Sequence, residues 1–264
     1  MHRRLIPVLI AAIVCLIGVA VLWPARSLAA SARPQVSTAE VPAPVQAHEL
    51  VDVAAAEAAG VPANVLNLAT SAIRCAVTSG DIAAPPTLTL IDYSKPSTEP
   101  RLWVFDLHTG QLRFRELVAH GKGTGDNLAE HFSDDMNSHQ SSLGLFVTRD
   151  TYTGSNGYSL RLDGLEPGFN SRARERAIVM HGAAYVSAEF AAKQGRLGRS
   201  WGCPALSEAV AHQVIDFVRG GGAIFSYYPD QAWLDRSRFL HCNSDSRLAN
   251  ANHEAGDLTV SRRG

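Results

Sequence analysis

Short β-type runs constrain the fold of this chain more than any other feature. From Thr87 onward, β-branched, aromatic and alternating residues recur between turn signals such as His108-Thr109-Gly110 and Gly154-Ser155-Asn156-Gly157. The runs predicted as strands are 87–93, 102–107, 112–119, 143–148, 159–162, 177–180 and 223–228. Short strands at this spacing predict a mainly antiparallel β core.

Helical patterns precede and interrupt these runs. Apolar residues recur at helical spacing over 49–59 and 63–77, so a helical N-terminal segment is predicted over 48–84. Two further helices are predicted at 187–194 and 207–219, the second with Ser207 as its N-cap. The sequence therefore predicts an α+β protein that is mainly β, with its main domain over 86–230 and a polar C-terminal tail over 231–264.

The N-terminus has the pattern of a secretory signal. Arg3 and Arg4 precede a nearly continuous apolar run over 5–22, and Ser27-Leu28-Ala29 offers small residues for cleavage. We predict a signal peptide over 1–30 and a flexible spacer over 31–47, with export to the periplasm or cell envelope and no stable membrane span after cleavage. The alternative is an uncleaved anchor, since about 20 apolar residues span a bilayer.

Charge and cysteine content indicate which partners and which cysteine chemistry to expect. The chain has 24 Lys and Arg against 25 Asp and Glu, so no basic excess indicates a nucleic-acid partner. Beyond the signal segment three cysteines remain, and an oxidising compartment favours a Cys75–Cys242 bridge with Cys203 as the free thiol. The alternatives are that all three are reduced or that Cys203 forms one arm of a bridge.

A histidine and a cysteine supply the strongest candidate chemistry. A thiol becomes a strong nucleophile as the thiolate, and His181 at a predicted strand end is suited to accept the Cys203 proton. Gly202 allows a substrate to approach, and the Gly202 and Cys203 amides are candidates for an oxyanion hole. Taken alone, the two side chains equally fit a hydrogen-bonded core histidine and a buried small hydrophobe.

The segments around this pair carry a wider resemblance. His181-Gly182 and Ser200-Trp201-Gly202-Cys203 resemble the murein L,D-transpeptidase catalytic domain family, in its branch with Arg-Ser-Trp-Gly-Cys-Pro. Similar segments lie at 91–97, 118–122, 138–144, 160–165 and 227–230. The resemblance covers about 86–230 and implies a β-sandwich with a packed helix.

The resemblance also implies a reaction. Cys203 would attack the peptidoglycan tetrapeptide donor, release D-alanine and hold the peptide as a thioester until an amine acceptor forms a cross-link. His181 would move the protons, and the carbonyl of Gly182 would orient its imidazole. The chain is thus predicted to be an enzyme, a cysteine L,D-transpeptidase.

The remaining site predictions concern substrate binding. Trp201 stands where most relatives have histidine, and Arg199 or Arg196 is suited to hold a substrate carboxylate. The predicted substrate-binding residues are Ser200, Trp201, Arg199, Tyr185, His120 and His139, each of which also fits a purely structural role. The histidines show no metal-ligand spacing, so no metal and no cofactor are predicted.

Three other functions compete with this prediction. The same site would make an L,D-carboxypeptidase or peptidoglycan hydrolase if water resolved the thioester. A non-catalytic cell-wall binding module predicts an unreactive Cys203. Thiol redox chemistry through Cys75, Cys203 and Cys242 lacks a Cys-x-x-Cys motif and ranks last.

Overall fold

A mixed sheet forms the centre of the protein in the computed structural model, which describes residues 50–242. Its strands are β1 (Thr87–Asp92), β2 (Leu102–Asp106), β3 (Leu112–Glu116), β4 (Gly144–Gly154), β5 (Gly157–Gly164), β6 (Val179–Gly182), β7 (Ala205–Leu206) and β8 (Ala223–Tyr227). They are ordered β3-β2-β1-β8-β4-β5-β6-β7. The hydrogen bonds join all of these strands into one continuous sheet.

The strand pairing agrees with the mainly antiparallel prediction. Within residues 50–242, five pairings are antiparallel, while β1 with β8 and β6 with β7 are parallel. Each of the seven predicted runs overlaps a strand, and β4, β5 and β6 extend beyond their runs. The two-residue strand β7 was not predicted.

Five helices surround the sheet in the described part of the chain. They are α1 (Val53–Ala58), α2 (Ala63–Thr78), α3 (Ala188–Gln194), α4 (Glu208–Val218) and α5 (Gln231–Arg236). Ser207 is the N-cap residue of α4, although its side chain makes no capping hydrogen bond. The mainly β class with a packed helix and short preceding helices is confirmed.

Helix α5 lies where the sequence predicts a tail. Its Trp233 is fully buried, and the Trp233 indole donates to the Glu166 carboxylate at 3.1 Å. The side chain of Asp230 caps the first turn by accepting from the Trp233 amide. The folded region therefore continues past residue 230, because the buried Trp233 and Phe239 side chains belong to the core.

The core lies on both faces of the sheet. On one face, Leu88, Leu90, Trp103 and Phe105 pack in a cluster that also contains the buried side chains of α2. On the other face, a second cluster joins the alternate strand residues to Val214, Ile215 and Val218 of α4. This is the two-residue periodicity expected when both faces of a sheet are covered.

Several predictions fall outside the described residues. The signal peptide over 1–30, the spacer over 31–47 and the C-terminal residues 243–264 are among them. Across residues 50–242 none of the helices is long and apolar enough to cross a membrane.

The structure contains a disulfide between Cys75 in α2 and Cys242, and Cys203 is a free, buried cysteine. The bridge joins residues 167 positions apart, so it restricts a long loop of the unfolded chain. We expect Cys242→Ser to lower the free energy of unfolding by about 2–5 kcal/mol. The melting temperature should then fall by roughly 5–15 °C.

Differential scanning calorimetry with and without a reductant measures this effect. Reduction should lower the melting temperature of the native protein to that of Cys242→Ser, and Cys75→Ser should match it. Reductant should leave both variants unchanged. Equal melting temperatures for the reduced and oxidised native protein would contradict this prediction.

Candidate active site

Parallel pairing of two short strands brings the candidate nucleophile and base together. His181 in β6 is paired with Ala205 in β7, and Cys203 lies two residues before Ala205. The Val179 amide of β6 donates to the Cys203 sulfur at 3.4 Å. His181 on β6 and Cys203 just before β7 thus lie close to each other, although 22 positions separate them in the sequence.

The segment 200–203, here called the nucleophile turn, is held by its own hydrogen bonds. The Ser200 hydroxyl donates to the Cys203 carbonyl at 2.6 Å and accepts from the Gly202 amide at 3.1 Å. The Ser200 amide donates to the His120 carbonyl, and the Ser200 carbonyl accepts from Lys122. Ser200 therefore lines the site but uses its hydroxyl to shape the turn.

Gly202 occupies a position that only glycine suits. Its φ is +119°, and a Cβ atom there would meet the Gln140 carbonyl oxygen and the Ile178 side chain. The Gly202 carbonyl also accepts from the Ser141 hydroxyl at 3.2 Å. The backbone of the nucleophile turn therefore packs directly on neighbouring segments.

A cavity of about 420 Å³ opens at the nucleophile turn. Its lining residues are Ser155, Asn156, Arg176, Ala177, His181, Tyr185, Arg199, Ser200, Trp201 and Cys203. Six of these, His181, Tyr185, Arg199, Ser200, Trp201 and Cys203, are among the residues predicted from the sequence. The cavity is large enough for part of a peptide substrate.

The His181 imidazole is fixed in one tautomer. Its Nδ1 lies 2.8 Å from the Gly182 carbonyl oxygen. A carbonyl only accepts, so Nδ1 carries the proton and Nε2 is left as the basic nitrogen. Gly182 thus provides the carbonyl contact expected of it, and His181 is arranged to accept a proton.

Burial shifts both members of the pair toward their neutral forms. Burial lowers the pKa of His181, and the hydrogen bond to Gly182 opposes this in part. Burial raises the pKa of Cys203, against the Val179 amide and the Arg176 charge, which lower it. Since both shifts favour the uncharged forms, the resting pair is thiol and imidazole.

The two amides predicted for the oxyanion hole differ in their bonding. The Gly202 amide donates to Ser200, as described above. Within residues 50–242, no acceptor is found for the Cys203 amide, which leaves it as the available donor at the sulfur. The sequence predicts both amides as oxyanion donors, whereas in the described part of the structure only the Cys203 amide is free to donate.

Tyr185 and Arg199 both line the cavity. Burial raises the pKa of Tyr185 to about 12, so its hydroxyl stays protonated as a donor. Arg199 donates to the Asp126 carboxylate at 2.7 Å and to the Gly125 carbonyl at 2.9 Å. Arg196 also faces Asp126, at 3.7 Å. Arg199 therefore reaches the cavity with its charge already paired.

Trp201 is an exposed aromatic surface at the rim of the cavity. It is 69% exposed, and its ring stacks on His139 with centroids 4.8 Å apart and planes 19° apart. The Lys122 ammonium lies 5.9 Å from the centroid of the Trp201 ring. His139 does not line the cavity itself, so it reaches the site only through Trp201.

His120 does not line the cavity. It is 1% exposed, with Nδ1 at 2.8 Å from the Arg101 guanidinium and Nε2 at 3.3 Å from the Gly125 carbonyl. Burial and the Arg101 charge lower the pKa of His120 to about 4, so the ring is neutral. His120 therefore contacts the nucleophile turn through its backbone carbonyl, while its imidazole is held by Arg101 and Gly125.

Sequence reasoning did not identify four of the cavity residues. Ser155 and Asn156 form the β4–β5 turn. The sequence predicts this turn but does not indicate that it lines the cavity. Ala177 adopts a left-handed φ of 53°, and its carbonyl lies 3.7 Å from the Cys203 sulfur. Arg176 carries no sequence signal, because it follows Arg172 and Arg174 in an alternating charged pattern typical of a surface.

No group of three or more His, Cys, Asp or Glu side chains arranged for a metal ion is found in the described part of the chain. The cavity groups are a thiol, an imidazole, hydroxyls and guanidinium groups. This set is suited to nucleophilic chemistry at a carbonyl group.

A sequence comparison assigns the family. The profile of the L,D-transpeptidase catalytic domain matches residues 57–227, which is more than half of the chain. The match includes β1 through β8 and every cavity residue. No curated protein gives a significant sequence match.

Solved structures give weaker similarities. An L,D-transpeptidase from Mycobacterium smegmatis is 15% identical with a TM-score of 0.35, covering 54% of this chain and 59% of that one. L,D-transpeptidase 1 from Mycobacterium tuberculosis is 13% identical with a TM-score of 0.31, covering 54% and 62%. An L,D-transpeptidase from Stackebrandtia nassauensis is 12% identical with a TM-score of 0.34, covering 66% and 75%. The chain spans less than two thirds of both mycobacterial proteins, and the family assignment rests on the profile match.

Proposed function

Because the chain belongs to the L,D-transpeptidase catalytic domain family, we propose that it is an exported cysteine acyltransferase that cross-links peptidoglycan stem peptides. The observation that carries the proposal is that the free Cys203 and His181 line the same cavity within the matched region. Cys203 is the nucleophile, His181 the general acid and base, and Gly182 the carbonyl that orients the imidazole.

The first half-reaction acylates Cys203. His181 Nε2 takes the thiol proton as the sulfur attacks the carbonyl that precedes the terminal D-alanine of the tetrapeptide donor. The S–C bond forms, the C–N bond breaks, and the proton passes from His181 to the leaving amine. D-Alanine departs and the tripeptide remains as a thioester on Cys203.

The second half-reaction transfers the peptide. An amine of the acceptor attacks the thioester carbonyl and gives its proton to His181 Nε2. The new amide bond forms as the S–C bond breaks, and the proton returns to the Cys203 sulfur. The same imidazole serves both steps, because its tautomer is fixed by Gly182.

The oxyanion of each tetrahedral intermediate needs a donor near the sulfur. The Cys203 amide fills this role, because the Gly202 amide donates to Ser200. Gly202 keeps its place in the mechanism through the positive φ that shapes the nucleophile turn. Ser200 acts by holding that turn.

Export is supported by the disulfide. Disulfides persist in oxidising compartments, and the Cys75–Cys242 bond ties α2 to the end of the described chain. The predicted signal segment over 1–30 agrees with the same location. We therefore assign the protein to the periplasm or cell envelope, where its peptidoglycan substrate lies.

Incubation with a purified tetrapeptide muropeptide tests the function. Mass spectrometry should detect cross-linked dimers and free D-alanine with the native protein and neither product with Cys203→Ala. Tripeptide without dimer at high acceptor concentration would contradict transpeptidation and identify a hydrolase. A Cys203→Ala protein with native activity would contradict the cysteine mechanism.

Trp201 is proposed to bind substrate through its exposed ring. We expect Trp201→Ala to raise KM for the muropeptide about fivefold with little change in kcat, since an aromatic contact contributes about 1 kcal/mol. The fold should persist because the side chain is 69% exposed. Steady-state kinetics with Trp201→Phe as the matched control measures the effect. A fall in kcat with an unchanged KM would contradict a binding role.

A further inference from the structure

Arg176 is a buried cation beside the candidate nucleophile that the reaction scheme above does not use. Its side chain is 3% exposed, although Arg174, two residues earlier, is 52% exposed. It lines the same cavity as Cys203 and lies against the nucleophile turn, where its Nη2 is one of the atoms nearest to Gly202. A buried charge requires a specific reason, because desolvating an ion is costly.

The guanidinium of Arg176 donates four hydrogen bonds to one loop, residues 133–142. Nη1 donates to the Ser133 carbonyl at 2.7 Å and to the Ser142 hydroxyl at 2.5 Å. Nη2 donates to the Gln140 carbonyl at 2.6 Å and to the Ser138 hydroxyl at 3.2 Å. All four acceptors are neutral, so they satisfy the donors of Arg176 without cancelling its charge.

The carboxylates of Asp134 and Asp135 both lie near Arg176, and that of Asp134 is largely engaged elsewhere. Asp134 lies 3.8 Å from Nη1, beyond hydrogen-bonding distance. Its oxygens accept from the Arg172 amide at 3.1 Å and from the Ser171 hydroxyl at 3.2 Å. Arg176 therefore retains positive charge that acts on its surroundings.

Other titratable groups that face the sulfur or line its cavity do not supply a free positive charge. They are His181 on β6, Tyr93 after β1, Tyr185 before α3, and Arg199 before the nucleophile turn. Burial raises the pKa of both tyrosines to about 12 and lowers the pKa of His181, so these three are neutral at rest. Arg199 is paired with Asp126 at 2.7 Å.

We propose that Arg176 is a positioning residue that holds the loop 133–142 against the nucleophile turn and supplies the fixed positive charge that stabilises the Cys203 thiolate as it forms. This rests on the proposed function in assigning Cys203 as the nucleophile. The proton leaves the sulfur for His181, and the negative charge then develops in a buried site, where a nearby cation has a large effect. Burial alone raises the pKa of Cys203, and Arg176 opposes that shift.

Alkylation by iodoacetamide, followed on the Cys203-containing peptide as a function of pH, tests the charge directly. We expect Arg176→Gln to raise the midpoint of alkylation by about one pH unit and to slow alkylation at neutral pH about tenfold. Arg176→Lys should keep the native midpoint, because it retains the charge while losing hydrogen bonds. Arg174→Gln, which removes an exposed charge two residues away, should behave as the native protein.

Two results would overturn the proposal. One is a folded Arg176→Gln protein with the native midpoint, which would leave Arg176 as a loop clamp only. The other, decisive also if Arg176→Gln does not fold, is an Arg176→Lys protein whose midpoint rises by the full unit expected of the glutamine variant. The assay needs no peptidoglycan, so its result is independent of transpeptidation. If the variants show the expected midpoints but the native protein forms no muropeptide dimers, the proposed function is contradicted and the role of Arg176 is not.

Discussion

Cys203→Ala is expected to abolish acyl transfer, lowering kcat/KM roughly 10⁴-fold or more, because no other free cysteine lies in the described part of the chain. The fold should remain intact. The sulfur makes only weak contacts, at 3.4 Å to the Val179 amide and 3.7 Å to the Ala177 carbonyl. The free energy of unfolding should therefore change by about 1 kcal/mol.

Two measurements check this expectation. The native protein should gain the mass of one carbapenem on Cys203, an inhibitor class implied by the family resemblance, and Cys203→Ala should gain none. The melting temperature should stay close to that of the native protein. An alanine variant that still forms a covalent adduct at another residue, or that turns over muropeptides, would overturn the assignment of Cys203.

His181→Gln is expected to slow acylation of Cys203 roughly 10³-fold, because a positioned general base contributes on this order. Glutamine keeps a side-chain N–H for the Gly182 carbonyl, so the variant removes the base with little other change. The buried thiol then lacks a proton acceptor at neutral pH, since burial raises its pKa. His212→Ala is the matched control, because His212 is exposed on α4 and lies outside the cavity.

The pH profile separates a base from a structural residue. Burial lowers the pKa of His181, so acylation by the native protein should rise with pH through a midpoint below the usual value for histidine. In His181→Gln this acid limb should disappear, and the rate should rise with pH only as the thiol ionises. A glutamine variant that keeps the native acid limb would contradict the role of His181.

Local sequence patterns were sufficient for most of the fold. Alternation over 87–93 and 102–107 predicts strands because successive side chains face opposite sides of a sheet, and Leu88 and Leu90 do face the cluster with α2. Helix α5 was missed because its six residues are too few for a helical period. Strand β7 was missed for the same kind of reason, since two residues cannot show alternation.

Part of the candidate site could also be predicted from the sequence, and part could not. The pair His181 and Cys203 was predictable because the thiol needs a base and the surrounding motif is specific. Sequence could not separate the roles of the Gly202 and Cys203 amides, because the difference is a hydrogen bond from Gly202 to the Ser200 hydroxyl. It also grouped His120 with the cavity residues, although His120 is hydrogen-bonded to Arg101 and does not line the cavity.

The sequence by itself determined the mainly β class, the preceding helices and the resemblance that centres on His181 and Cys203, because periodicity and short motifs are local properties of the chain. Only the tertiary structure decided how β7 pairs with β6, which brings the turn that carries Cys203 next to the strand that carries His181. It alone decided that Arg176 is buried at the site while Arg174 is exposed. The burial of a side chain and the charges around it depend on segments distant in sequence. An alternating arginine pattern therefore does not show which of its arginines is buried.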